Sequence, residues 1–156
     1  MIDNNSSYST VISKAKNGDP SAMYELAMLY DCGAIGSSSD SEYVYWLKKF
    51  MESDIIVAII EELDDEEGSV QNPHYDFIEG FKYYTMIVEA GIALGLYYMN
   101  SSHIEEVIIA YDAFYAAFIV SRFDYIEIED EEGVTNILTL LSRTNHRLNL
   151  LKEGVE

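Results

Sequence analysis

The sequence predicts an all-α protein, built of helix-turn-helix repeats that form a short α-solenoid with a C-terminal capping helix. Three observations carry this expectation. Apolar residues recur at a spacing near 3.6 along most of the chain, the period of a helix with one buried face. Helix-start signals stand ahead of four of these segments. One pattern also occurs twice: Leu26-Ala27-Met28-Leu29-Tyr30 returns as Leu94-Gly95-Leu96-Tyr97-Tyr98, 68 residues later. That offset is twice a repeat of about 34 residues, a length typical of helix-turn-helix solenoids.

In chain order, the polar residues 1–7 are expected to fray, and Tyr8 to Lys16 form a short helix ended by Asn17-Gly18. Asp19 is a strong N-cap, and Pro20 at the first helical position lacks only an N–H that would stay unpaired anyway. Tyr24, Ala27, Met28 and Asp31 then lie along one face, broadened by Leu26, Leu29 and Tyr30. Gly33 and Gly36 stop this helix, and Ser39 with Glu42 forms a capping box for the next, which turns Tyr43, Trp46, Leu47 and Phe50 inward. Two such helices cannot bury their faces alone. Further pairs are expected over about 55–90 and 91–122, the first pair covering about 20–54. Together with a last helix over about 134–152, they complete a single domain of residues 1–156.

Ile55-Ile56-Val57-Ala58-Ile59-Ile60 has the β-branched content of a buried strand. Ile56, Ile59, Ile60 and Leu63 nevertheless hold the helical i, i+3, i+4, i+7 spacing, and no partner strand is evident, so the stretch reads as helix. Phe77, Phe81, Tyr84 and Val88 continue the helical period, and Gly91 and Gly95 permit close approach of a neighbouring helix. Ser102 and Glu105 read as a second capping box. The rings of Tyr111, Phe114, Tyr115 and Phe118 alternate with alanines as at the centre of a core. In the last helix, Ile137, Leu138, Leu141, Leu148 and Leu151 face inward, while Arg143, His146, Arg147 and Lys152 suit its negative end.

The run Leu26-Ala27-x-x-Tyr30-x-x-Gly33, followed by Gly36, Asp40 and Trp46-Leu47-Lys48-Lys49, resembles a Sel-one-like repeat, a relative of the tetratricopeptide repeat. Glu89-Ala90-Gly91 is similar to the junction between two such repeats. The resemblance covers residues 17–54 best and 75–120 more weakly. Ala27 stands where the family has glycine, and Tyr43 near a usual alanine. The resemblance implies an α-solenoid that binds protein partners, and it supplies no catalytic residues.

Composition narrows the function classes. The chain has 156 residues, a length that buries a substantial core, and a 49% hydrophobic fraction that is ordinary for a folded protein. Its charge is not ordinary: 28 acids against 9 bases give −19. Such a field repels nucleic acid and anionic membranes and attracts cationic surfaces. Cys32 stands alone, which rules out an internal disulfide and a cysteine-built metal site; beside Gly33 it reads as a small residue packed under a turn. The N-terminal residues show no signal peptide, and no stretch approaches the roughly 20 apolar residues of a membrane span. A cytoplasmic location is the expectation.

Nothing here reads as an enzyme. His74, His103 and His146 are scattered over presumed helix edges, and the acidic runs lack the spacing of a calcium loop. There is no phosphate-binding glycine loop and no nucleophile elbow. No catalytic residue, cofactor or metal is expected.

Charge and tyrosine carry the remaining information. Between Lys49 and Lys82 there are ten acids and no Lys or Arg; between Arg122 and Arg143 there are six acids and again none. Glu61, Glu62, Asp64, Asp65, Glu66 and Glu67 form one tract, and Asp124, Glu127, Glu129, Asp130, Glu131 and Glu132 the other. Thirteen tyrosines exceed the needs of the core, and the pairs Tyr83-Tyr84 and Tyr97-Tyr98 must turn one ring outward. Half-buried packing explains such tyrosines as well as an interface does. Read as an interface, the two tracts with Tyr83 and Tyr97 would steer and anchor a basic protein. The function this favours is an immunity or inhibitor protein: a monomer that pairs with a basic bacterial toxin, such as a nuclease, and covers its active site. The alternative is a general adaptor or secretion chaperone holding a peptide in its groove.

Overall fold

The computed structural model describes the backbone of residues 4–36, 40–64, 77–122 and 131–154, and the side chains of all of these except 4–7, 77–81 and 131–135. The described residues form seven helices: α1 (Asn4–Lys16), α2 (Pro20–Asp31), α3 (Asp40–Met51), α4 (Asp54–Asp64), α5 (Phe77–Tyr98), α6 (Ile104–Ser121) and α7 (Glu131–Lys152). There is no strand among them, and Ile55–Ile60 is helical within α4. The chain divides into two compact units, Met1–Ala58 and Ile59–Glu156, with the boundary inside α4; the sequence reading drew no such division. Within the first unit α1 packs on α2 and α2 on α3; within the second α5 packs on α6 and α6 on α7. Helices that bury their faces on their sequence neighbours follow the packing logic of helical repeats.

Local chemistry sets the helix ends of the first unit. α1 begins at Asn4, inside the stretch expected to fray. It closes with Gly18 at φ 94°: the Asp19 N–H donates to the Lys14 carbonyl (3.0 Å) and the Gly18 N–H to that of Ala15 (3.1 Å). Asp19 then opens α2, its Oδ1 accepting from the Ala22 N–H at 3.4 Å. One residue thus ends a helix and starts the next. α2 closes the same way, with Gly33 at φ 74°, the Ala34 N–H on the Leu29 carbonyl (2.9 Å) and the Gly33 N–H on that of Tyr30 (3.3 Å). The left-handed backbone this motif needs is open to glycine at little cost. Cys32 is exposed at this turn, not packed beneath it, because the tight closure turns its side chain out, where Sγ lies 3.6 Å from the Leu29 carbonyl. Ser39, the expected cap of α3, lies outside the described residues.

Leu26, Ala27, Leu47 and Phe50 form the centre of this unit, each at most 1% exposed. Tyr24 leans on Phe50 with ring centroids 5.6 Å apart. The buried face of α2 is Ala22, Met23, Leu26 and Ala27, and that of α3 is Val44, Trp46, Leu47 and Phe50. Asp31 is exposed and Tyr43 only half-buried, so both faces are rotated slightly from those expected.

In the second unit α5 runs unbroken from Phe77 to Tyr98, through the junction expected at Ala90-Gly91. Neither Gly91 nor Gly95 has a positive φ. Each glycine costs its helix about 1 kcal/mol relative to alanine, and here the close approach of α6 offsets that cost. A Cβ on Gly91 would sit 2.5 Å from the Ala113 carbonyl, and one on Gly95 would enter the Phe114 ring, which is fully buried. The glycines are therefore contact points, not helix stops.

α6 begins one residue later than a Ser102 cap requires. His103 is its N-cap and makes no side-chain capping bond. The Ser101 hydroxyl instead accepts from the His103 N–H (3.0 Å) and donates to Glu106, so a local bridge stands where the capping box was expected. Alanines set the inner face of α6: Ala110, Ala113, Ala116 and Ala117 are buried with Phe114, while Tyr111 and Phe118 are half-buried and Tyr115 is 37% exposed. Only one of the four rings reaches the centre. In α7, Ile137, Thr144 and Leu148 are buried and Leu138 is 47% exposed; the buried Thr144 hydroxyl donates to the Leu140 carbonyl at 2.7 Å.

Candidate partner-binding surface

The end of α4 and the outer face of α6 come together in the second unit. Its main bond is made by the Tyr115 hydroxyl, which donates to Asp64 Oδ1 at 2.8 Å across 51 residues of sequence. Tyr111, one turn earlier on α6, lies parallel to Tyr115 with centroids 6.3 Å apart and 7° between the planes. Ile108 continues this face outward at 41% exposure. The spacing 108, 111, 115 is the helical face opposite the alanines, so burying the small residues expels the rings. Glu61 is exposed and Glu62 half-buried on α4.

The electrostatics match this geometry. The bond to Asp64 raises the Tyr115 phenol above the ordinary tyrosine range, with smaller contributions from burial and from the charge on Asp64. Burial first, then the Glu62 charge, raises Tyr84 on α5. Both phenols thus stay protonated beside carboxylates at neutral pH. Because the folded state raises the Tyr115 pKa, the bond is fully present below about pH 10, the unfolded tyrosine value, and is lost as pH climbs through the higher folded one. We expect an ultraviolet titration of Asp64→Asn to show one tyrosine ionising at lower pH than in the parent. An unchanged titration would refute the Asp64–Tyr115 bond.

Of the residues expected at an interface, Glu61, Glu62 and Asp64 sit here. Tyr83 does not: it is 6% exposed, with Lys82 Nζ 4.8 Å from its ring centroid. α5 is turned so that Tyr84 is the more open of that pair. Tyr97 is 51% exposed and edge-on to Tyr98, but it is 13 residues further along α5 than Tyr84, about 20 Å at 1.5 Å per residue. Asp65, Glu66, Glu67, Asp124, Glu127, Glu129 and Asp130 lie outside the described residues, as do the side chains of Glu131 and Glu132. Tyr111 and Tyr115 were missed as surface residues. The Ala110, Ala113, Ala117 spacing was the signal that placed them outside.

This arrangement suits cation recognition. Ring faces beside fixed carboxylates attract Lys and Arg through both charge and the ring quadrupole. Among the described residues no group of three His, Cys, Asp or Glu side chains is placed to hold a metal ion, and no helix is long and apolar enough to cross a membrane. No protein-family model, curated protein or solved structure matches the chain.

Proposed function

We propose that the chain is an acidic, protein-binding helical module that captures a basic protein as one half of a heterodimer, through the surface around Asp64 and Tyr115. The observation that carries this reading is the Tyr115 ring, held at the surface by a carboxylate and stacked on Tyr111. A ring fixed before binding loses little freedom on contact, which is what an aromatic anchor requires. The net charge of −19 supplies the attraction, and the likeness of residues 17–54 to Sel-one-like repeats supports a binding role. In its specific form the proposal is a cytoplasmic immunity protein that neutralises a basic bacterial toxin by covering its active site.

The test uses the product of the gene immediately upstream as the binding probe, with parent, Tyr115→Ala and Tyr115→Phe proteins. The expected result is a stoichiometric complex that suppresses the probe's activity. Tyr115→Ala should shorten its residence time about tenfold or more, with Tyr115→Phe in between. A complex indifferent to Tyr115 would remove this surface from the proposal. A complex that leaves the probe's activity intact would favour an adaptor or chaperone.

A further inference from the structure

The chain has only three arginines, and two of them meet in one place with one of its three histidines. Arg143, His146 and Arg147 line a cleft of about 410 Å³ in the second unit. α5 and α7 each pack on α6 but share no extended contact with each other, and the cleft opens between them. Its other walls are mostly apolar: Leu96 on α5 and Met99 just past its end, Leu140 and Leu150 on α7, with Asn100 as the one further polar residue. Positions 140, 143, 147 and 150 fall on one helical face, so the two arginines sit between the two leucines.

The macrodipole of α7 does not account for these cations. α7 ends at Lys152, and the dipole's influence is confined to the last turn, which Arg143 and Arg147 precede. Acidic partners do not account for them either, since neither arginine pairs with a carboxylate among the described residues. Arg147 is nevertheless held in place, its Nη2 donating to the Ser101 carbonyl at 3.1 Å. Its Nε is buried and has no acceptor among the described residues. A buried donor without a partner is costly, and two guanidiniums one turn apart repel each other. One anion between the two guanidiniums relieves that repulsion.

We propose that this cleft binds a small organic anion, a carboxylate carried on an apolar body. The carboxylate would lie between the Arg143 and Arg147 guanidiniums, whose planar forks match its two oxygens, with the His146 ring at the rim. The hydrocarbon would cover the leucines and Met99; Leu96, now 52% exposed, gains most. The volume lies within the usual range for small-molecule sites. This site is independent of the Asp64–Tyr115 surface and selects the opposite charge.

The test titrates the full chain with octanoate, octanol and octylamine, read by calorimetry and by the Met99 methyl resonance. Octanoate is expected to bind and to shift Met99, octanol to bind at least about tenfold more weakly, and octylamine not to bind. Arg143→Gln, at an exposed position, should weaken octanoate about tenfold without changing thermal stability, and Arg147→Gln should weaken it at least as much. Tyr115→Ala should leave octanoate binding unchanged. Equal binding of acid and alcohol, full affinity in Arg143→Gln, or no Met99 shift at millimolar octanoate would each overturn the proposal.

Discussion

Gly95→Ala is expected to destabilise the second unit, although alanine is the better helix former by about 1 kcal/mol. The added methyl would land in the Phe114 ring, which is completely buried. Overpacking of this kind costs about 1–3 kcal/mol. Phe114→Ala should cost about 3–5 kcal/mol through the cavity it leaves. The two changes should not add. In the Phe114→Ala background the obstacle is gone, so Gly95→Ala becomes neutral or stabilising. Gly91→Ala is the control: its methyl meets the Ala113 carbonyl at 2.5 Å and the Ala117 Cβ at 3.0 Å, and removing the ring relieves neither. Denaturant unfolding of the single and double variants measures the coupling. Additive losses for Gly95 and Phe114 would show that the α5–α6 approach is looser than described.

The second large effect is on association rate. If the acids at the end of α4 steer a cationic partner, association should slow about tenfold or more between low and physiological salt, because exposed charges are screened beyond about 8 Å at the latter. Neutralising Glu61, Glu62 and Asp64 to Gln and Asn should lower the on-rate more than it raises the off-rate. Tyr115→Ala should do the reverse. Stopped-flow or surface-based kinetics against the partner at two salt concentrations separates these outcomes. An on-rate insensitive to both salt and neutralisation would reduce the acids to a solvated surface.

Much of this protein is legible in short stretches of its chain. Asp19-Pro20 and Asn17-Gly18 mark helix ends because capping and left-handed turns depend on a few adjacent residues. Ile55–Ile60 is legible as helix because Ile56 and Ile59 fall on one face of α4, and both are buried. The acids of Glu61, Glu62 and Asp64 were legible as a binding candidate because charge is visible in composition. Their use of Tyr115 was not, since that bond joins residues 51 positions apart.

Helix content, the ends at Asn17-Gly18 and Asp19-Pro20 and the sign of the surface charge are all properties of neighbouring residues, and the chain alone reveals them. Tertiary structure decided how each helix is rotated about its own axis. A turn of one residue exchanges Tyr83 for Tyr84 as the open ring, and both choices satisfy the same apolar period. The same holds on α6, where packing α5 through Gly91 and Gly95 forces the alanines inward and Tyr115 out. It holds again for the cleft: Leu96 and Arg147 are distant in sequence, and only the packing of α5 and α7 along α6 brings them together. Periodicity fixes which residues share a face; the partner helix fixes where that face points.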